Sequence, residues 1–251
     1  MGLGGFFFFV WGYQMIKVAI LVDGGFYHHR CSSLFRHLPD YDGHDVEQAA
    51  VLFHHITTSH VNDTHDGYLY RILYYDAHPM TKVVHNPLTG RAINLARSDL
   101  AMFRRGFFEK LKHQRKVALR LGETKDHGGW KIHPKATKEL LNGKLSLPEL
   151  SEGDIKYDAT QKGVDMKIGL DIASLAYKKL VDKIVLISGD SDFVPAAKVA
   201  RREGIDVVLD PMWNHVEPTL FEHIDGTYST VPHPDQMPGS VAELLKGATH
   251  S

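Results

Sequence analysis

Four aspartates lie at the ends of predicted elements, where a parallel sheet would bring them together. They are Asp23, after the apolar run 17–22, Asp165, at the start of a helical pattern, and Asp190 and Asp192, after the apolar run 183–187. Ligands of open parallel sheets bind beyond the carboxyl ends of the strands. Two carboxylates about 5 Å apart repel by roughly 3 kcal/mol at an effective dielectric constant near 20. Such a cluster therefore indicates a site for Mg²⁺ or Mn²⁺, which prefer oxygen ligands.

Each aspartate taken alone also has a purely structural interpretation. Asp23 precedes Gly24-Gly25 and suits a turn. Asp192, Asp190 or Ser191 suits a helix N-cap, and Asp165 suits the first turn of a helix. Because all four aspartates are expected at the same edge of the sheet, a metal site is favoured over four separate structural roles.

Alternating apolar runs and helical patterns predict a single α/β domain with a mainly parallel sheet. The predicted strands are 17–22, 69–75, 116–122, 183–187 and 205–209, with a short edge pairing at 130–132. The predicted helices are 46–57, 98–114, 165–180 and 191–203. The stretch 78–97 is too long for a simple connector, and it opens an insertion over about 78–157.

Further acids complete this pattern. Asp76 and Asp210 also end strands and are interpreted as turn formers or as residues that support the metal ligands. Asp171 lies about 240° around its helix from Asp165, so we expect it to face elsewhere and to pair with Lys167.

Composition sets the broad class. The chain has 251 residues, a formal net charge of −1 and one cysteine, which excludes a disulfide framework and a thiolate zinc site and favours a cytoplasmic protein. The apolar run 6–10 is too short to span a membrane. We predict a flexible extension over 1–15 with Met15 as the true start, a domain over 16–231, and a mobile tail over 232–251.

Three segments carry a resemblance to a known family. They read VDGG at 22–25, QKGVD at 161–165 and SGDSDFVP at 188–195. The chain resembles bacterial NYN domain proteins, in particular the LabA-like branch of the PIN-like nuclease superfamily. This resemblance implies a Rossmann-like three-layer α/β/α sandwich that cleaves RNA with divalent metal. It also implies that Asp23, Asp165, Asp190 and Asp192 are both the catalytic and the metal-binding acids.

The sequence departs from the family at one position. Many members carry Asn three residues after the first aspartate, whereas this chain has Phe26. The insertion also exceeds the minimal domain, and the resemblance assigns it no function.

The implied reaction is metal-assisted phosphodiester hydrolysis, in which the ion activates water and stabilises the charge that develops on the phosphate. We expect Ser188 and Ser191 to orient water or phosphate and Lys162 to hold the RNA backbone. A basic stretch is expected to contact RNA phosphates. It consists of Arg104, Arg105, Lys110, Lys112, Arg115, Lys116, Arg120 and Lys125, against only Glu109 and Glu123. Phe107 and Phe108 have two interpretations. They are base-stacking residues or, as is more usual for phenylalanines on a helix, core residues.

Other functions remain open. A non-catalytic RNA-binding or scaffold protein that retains the nuclease fold is the main alternative, and cleavage of DNA is not distinguished from cleavage of RNA. A haloacid-dehalogenase phosphatase requires a second aspartate where this chain has Gly25. We expect no membrane partner, and a homodimer is the default assembly.

Overall fold

The computed structural model describes residues 15–233 and Leu245. The predicted extension and the predicted tail therefore lie almost entirely outside the described residues. Within the described residues, no helix combines the length and the apolar character that a membrane span requires.

A seven-stranded sheet forms the centre of the molecule. Its strands, in spatial order, are β6 (Ile155–Lys162), β5 (Val117–Ile132), β2 (Gly67–Ala77), β1 (Ile16–Asp23), β7 (Lys183–Ile187), β8 (Asp206–Asp210) and β9 (Gly226–Thr227). Neighbouring strands are parallel except for the antiparallel pair of β5 and β6 at one edge. A separate antiparallel hairpin joins β3 (Val83–His85) to β4 (Ala92–Asn94) within the predicted loop 78–97.

Helices cover both faces of this sheet. One face packs against α1 (Gly24–Phe35), α2 (Val46–Asn62) and α3 (Asp99–His113). The other face packs against α5 (Val164–Tyr177), α6 (Val194–Arg202) and α7 (Pro218–Phe221). The short α4 (Pro134–Leu141) lies in the connection from β5 to β6. The predicted three-layer α/β/α sandwich with a mainly parallel sheet is confirmed.

The core follows from the alternation of side chains along buried strands. In β1, Val18, Ile20 and Val22 face the layer of α1 to α3, whereas Ala19 and Leu21 face the opposite layer. All five side chains are fully buried. The continuous apolar run that predicted β1 is thus explained by helices on both faces.

Two predictions about elements were wrong. The sequence predicts a turn after Asp23, but α1 begins there at once, and its Tyr27, Cys31 and Leu34 are buried. The predicted strands 116–122 and 130–132 are one strand, β5, whose residues beyond Gly122 pair only with β6. Beyond Gly122, β5 and β6 form an arm that extends past the carboxyl edge of the sheet. The arm is defined here as residues 123–162.

The strand order identifies where a ligand would bind. The chain leaves β1 towards β2 on one side and returns as β7 on the other side. The carboxyl ends of β1 and β7 therefore form the topological switch point of the sheet, where crevices in such folds take their ligands.

Gly24 allows α1 to start close to β2, and this contact gives a test of the fold. A Cβ atom on Gly24 would lie 2.6 Å from the carbonyl oxygen of Tyr75, whereas a Cβ on Gly25 would meet nothing closer than Asp23 Oδ1 at 3.4 Å. We expect Gly24→Ala to lower the free energy of unfolding by about 1 to 3 kcal/mol, because backbone must move. Gly25→Ala is the matched control and should be neutral or stabilising, since alanine favours helices. Urea denaturation measures both, and equal effects would contradict the close approach.

Candidate functional site

Asp23 occupies the carboxyl end of β1 and also starts α1. Its side chain is half-buried, and its Oδ1 accepts a hydrogen bond of 3.1 Å from the backbone N–H of Phe26, as an N-cap residue does. The capping interpretation and the functional one therefore apply to the same carboxylate, whose second oxygen faces Ser188.

Ser188, Asp190 and Asp192 belong to the loop that follows β7. The buried Ser188 hydroxyl donates to Asp23 Oδ2 at 3.4 Å and accepts from the backbone N–H of Asp190 at 3.3 Å. Asp190 Oδ1 in turn caps a 3-10 turn by accepting from the N–H of Asp192 at 2.9 Å. The predicted helix 191–203 consists of this turn followed by α6. The loop is thus joined to the end of β1 by hydrogen bonds.

Asp165 reaches the same edge from the first turn of α5. The helix begins after Gly163, whose φ of 77° lies in the left-handed region that glycine adopts without strain. Asp165 is exposed, and its pKa is raised by partial burial and by the charges of Asp190 and Asp192.

The charges of neighbouring acids affect the pKa values at this site. Burial raises the pKa of Asp23 to about 6, and the charges of Asp165 and Asp76 add to this rise, although hydrogen bonds from the backbone at Phe26 and Gly25 oppose it. Within the described part of the chain, none of the four carboxylates lies in a salt bridge. The charge of Asp165 acts on Asp23, and those of Asp190 and Asp192 act on Asp165, so the four aspartates lie near the same edge of the sheet.

The donor chemistry of this cluster fits a hard divalent cation. Carboxylate oxygens are the ligands that Mg²⁺ and Mn²⁺ prefer, and the Ser188 hydroxyl adds a neutral oxygen. Among residues 15–233, no group of three or more His, Cys, Asp or Glu side chains is already arranged as a metal-binding set.

A buried network borders the cluster, and most of it was missed from the sequence. Asp76, which ends β2, is fully buried; its Oδ1 lies 2.7 Å from Gln161 Nε2 and 3.2 Å from Arg104 Nη1. Burial raises the pKa of Asp76, while the Arg104 charge acts in the opposite direction. The sequence marked Asp76 only as a strand-ending acid. Its partners come from α3 and from the arm.

The network continues away from Asp23 to His28. The Tyr74 hydroxyl donates to Asp76 Oδ2 at 3.1 Å and lies 2.9 Å from His28 Nε2. Burial and the nearby Arg104 charge lower the pKa of His28 to about 3, so this imidazole is neutral at physiological pH. His28 is also packed edge-on against Phe103 and Phe107.

The remaining predicted substrate-binding residues are scattered. Lys162 is exposed at the end of β6, and Ser191 begins the 3-10 turn beside Asp190. Arg105 donates to the carbonyl of Ala96 and Lys112 pairs with Glu109 at 2.6 Å. Arg115 is exposed just before β5 begins, at the opposite edge of the sheet.

The basic stretch is therefore not one surface. Several of its cations pair within the protein: Arg104 with Asp76, Lys110 with Glu47, Lys112 with Glu109 and Arg120 with Asp171. Of this stretch, Arg104 is the residue that forms an ion pair beside the acid cluster. Phe107 and Phe108 are buried in the core.

Two further acids differ from their predicted roles. Asp171 does not pair with Lys167 as predicted; it forms an ion pair with Arg120 and accepts a hydrogen bond of 2.9 Å from the Tyr75 hydroxyl. Asp210 does act in a turn, accepting from the N–H of Met212 at 2.8 Å, but it also lies 2.9 Å from the buried His60.

Phe26 has a packing role in place of the asparagine of the resembled family. A Cβ on Gly189 would lie 2.7 Å from the Phe26 ring, so the loop after β7 approaches this ring as only glycine permits. The aromatic ring therefore packs against the loop that carries Asp190 and Asp192.

Comparison with known sequences identifies part of the chain. Residues 133–215 match the family model of the NYN domain, a range that contains Asp165, Asp190 and Asp192. Residues of this chain are also 34% identical over 82 positions to an uncharacterised protein, y4oD, of Sinorhizobium fredii (strain NBRC 101917 / NGR234). That alignment covers 32% of this chain and 38% of the length of the relative. Residues 133–215 thus correspond to an NYN domain.

Solved structures offer more distant similarity. A protein of unknown function from Vibrio parahaemolyticus RIMD 2210633 aligns with a TM-score of 0.42 and 17% identity, over 87% of this chain and 94% of its own. A structure described as "Structural Basis for the Mechanism and Regulation of Sir2 Enzymes" aligns with a TM-score of 0.33 and 10% identity, over 94% and 92% of the two chains.

The raised pKa of Asp23 predicts how stability depends on pH in metal-free protein. The folded protein holds this proton up to a pKa of about 6, above the ordinary aspartate pKa of 3.8, so stability falls as pH rises from about 4 to about 6. Asp23→Asn keeps the N-cap acceptor but cannot ionise. We expect it to raise the free energy of unfolding at pH 7.5 by up to roughly 3 kcal/mol, and by much less at pH 4.

Urea unfolding in EDTA between pH 4 and pH 8 measures this difference. Asp206→Asn, at the amino end of β8, is the control and should leave the pH profile unchanged. A constant offset between Asp23→Asn and the natural chain at every pH would contradict the raised pKa of Asp23.

Proposed function

We propose that this protein is a metal-dependent ribonuclease that hydrolyses RNA phosphodiester bonds at the cluster of Asp23, Asp165, Asp190 and Asp192. The proposal is supported by the position of these residues at the ends of β1 and β7 and at the start of α5, next to the switch point of the sheet, where burial raises the pKa of Asp23 to about 6. The NYN match over residues 133–215 supports the nuclease class. Membership of the LabA-like branch, the cytoplasmic location and a homodimeric state are parts of the same proposal.

The four aspartates would hold Mg²⁺ or Mn²⁺. When bound, such an ion lowers the pKa of its water and stabilises negative charge on phosphate oxygens. Asp23 and Asp190 are the better fixed of the four, because each also accepts a hydrogen bond from backbone N–H. Asp165 and Asp192 are exposed on the solvent side of the cluster.

The other residues of the site position the reacting groups. Ser188 bridges Asp23 and the backbone of Asp190, at the ends of the paired strands β1 and β7. Lys162 is exposed three residues before Asp165, where its ammonium group would contact the RNA backbone. The assignment of RNA as substrate rests on the resemblance to NYN domain proteins.

Cleavage of end-labelled RNA tests the proposed function. Asp190→Asn retains the carbonyl oxygen that caps the 3-10 turn but removes the charge, so the fold should be preserved. With Mg²⁺ or Mn²⁺ we expect the natural chain to cut single-stranded RNA, and we expect Asp190→Asn to lower kcat at least about 100-fold, or about 3 kcal/mol. EDTA should abolish cutting in both proteins.

DNA of the same sequence serves as the control for the substrate. Asp206→Asn serves as the control for the site. Asp206 is an exposed acid at the opposite edge of the sheet, so its variant should cut RNA as the natural chain does. RNA binding without cleavage at any metal concentration would refute the nuclease and indicate a scaffold that binds RNA.

A further inference from the structure

A cavity of about 310 Å³ lies where the arm meets α3, next to the acid cluster. Met80 and Leu100 form apolar parts of its wall, Thr124, Tyr157 and Ala159 line it from the arm, and Arg104 lines it from α3. Pockets of roughly 300 Å³ or more are typical of small-ligand sites. Its lining combines apolar surface, an aromatic ring and a guanidinium.

The cavity shares a wall with the candidate catalytic site. Gln161 lines the cavity while its Nε2 donates to Asp76 at 2.7 Å. On the other side, Gln161 Oε1 would lie 3.8 Å from a Cβ on Gly25, two residues after Asp23. The charge of Asp76 also contributes to the raised pKa of Asp23. A ligand in the cavity would therefore be a neighbour of whatever the acids bind.

Arg104 is prepared to receive an anion. Its Nη1 is held 3.2 Å from Asp76, and its Nε is buried without a hydrogen-bond partner among the residues that the structure describes. Asp76 holds one end of the guanidinium, and Arg104 also lines the cavity. Arginine in this arrangement suits phosphate, which it binds through two parallel hydrogen bonds.

Tyr157 lines the same cavity, and Lys82 Nζ lies over one face of its ring, 5.6 Å from the centroid. The ring is oriented by an edge-on contact with Trp130, with centroids 5.6 Å apart, and by a hydrogen bond of 2.6 Å from its hydroxyl to Asp126. Aromatic rings are the usual platforms for unstacked bases of single-stranded RNA.

We propose that this cavity is a nucleotide subsite, which holds one base and its phosphate next to the phosphodiester bond that the acids cleave. The inference rests on the proposed function, since it names the part of the RNA strand that lies beside the acids. A neutral or purely apolar ligand would leave the Arg104 fork unused, whereas a nucleotide satisfies the guanidinium and the aromatic wall together.

A cavity-filling variant tests the subsite without touching the acids. Ala159→Trp places an indole in the cavity, and Ala92→Trp, on the exposed β4, is the matched control. The probes are the four ribonucleoside 5′-monophosphates and inorganic phosphate, titrated into metal-free protein in EDTA and followed by NMR. We expect at least one monophosphate to bind, its Kd to rise 10-fold or more in Ala159→Trp, and Ala92→Trp to bind normally.

A second variant covers the case in which Ala159→Trp does not fold. Leu100 is half-exposed on the rim of the cavity, so Leu100→Glu should fold and should repel the phosphate group. We expect a 5-fold or greater rise in Kd for the monophosphates with this variant. No binding of any monophosphate to the natural chain, or equal Kd values in all these proteins, would overturn the subsite.

Cleavage kinetics separate this proposal from the function on which it rests. If the natural chain cuts RNA and Ala159→Trp raises KM 10-fold with little change in kcat, the subsite is supported. If RNA is cut and Ala159→Trp leaves KM unchanged, the subsite is refuted while the nuclease stands. If monophosphate binding is lost in Ala159→Trp but the natural chain cuts no RNA, the cavity binds a nucleotide, whereas its place beside a cleaved bond is refuted together with the nuclease.

Discussion

Burial of carboxylates at the carboxyl ends of β1 and β7, with the charges of neighbouring acids added to it, is the constraint on which the rest of the site depends. Desolvation and like charge together raise the pKa of Asp23 to about 6, and Asp165 responds in the same direction to Asp190 and Asp192. The parallel sheet places these acids at one edge because its strand order reverses there. Hydrogen bonds from backbone N–H groups stabilise Asp23 and Asp190 in place, so the fold tolerates a cluster that costs it stability. A bound divalent cation would offset the negative charge of these carboxylates, and this attraction would contribute to its binding affinity.

Two elements outside the parallel part of the sheet, α3 and the arm, supply partners for a buried acid. Asp76 is buried beside the cluster, and Arg104 from α3 and Gln161 from the arm satisfy it. Without them a buried carboxylate would add to the repulsion at Asp23. The same two residues line the cavity at the foot of the arm, so the group that compensates Asp76 also presents a guanidinium to a ligand. In the proposed subsite, charge compensation and substrate recognition would be joined in one set of side chains.

The sequence predicts the sheet and the four acids because both depend on local patterns. Buried parallel strands are continuous apolar runs, and an aspartate directly after such a run must lie at the carboxyl edge. Helix α1 was missed because Gly24 and Gly25 weaken the helical pattern, although Tyr27, Cys31 and Leu34 have helical spacing that would have revealed it. The pairing of Asp76 with Arg104 and Gln161 is not predictable in this way, since Gln161 is 85 residues distant and meets Asp76 only through the register of the arm. The ion pairs of Arg104, Lys110 and Arg120 are unpredictable for the same reason, since their partners Asp76, Glu47 and Asp171 come from other elements.

Calorimetric titration of Mn²⁺ into metal-free protein at pH 7.5 tests the central claim most directly. If the four carboxylates form one cation site, the natural chain binds Mn²⁺ with protons released from Asp23, and the affinity falls at least about 10-fold in both Asp23→Asn and Asp165→Asn. The two variants alter residues 142 positions apart in the chain, so a shared loss identifies a shared site. Equal Mn²⁺ affinity in the natural chain and in both variants would contradict the account.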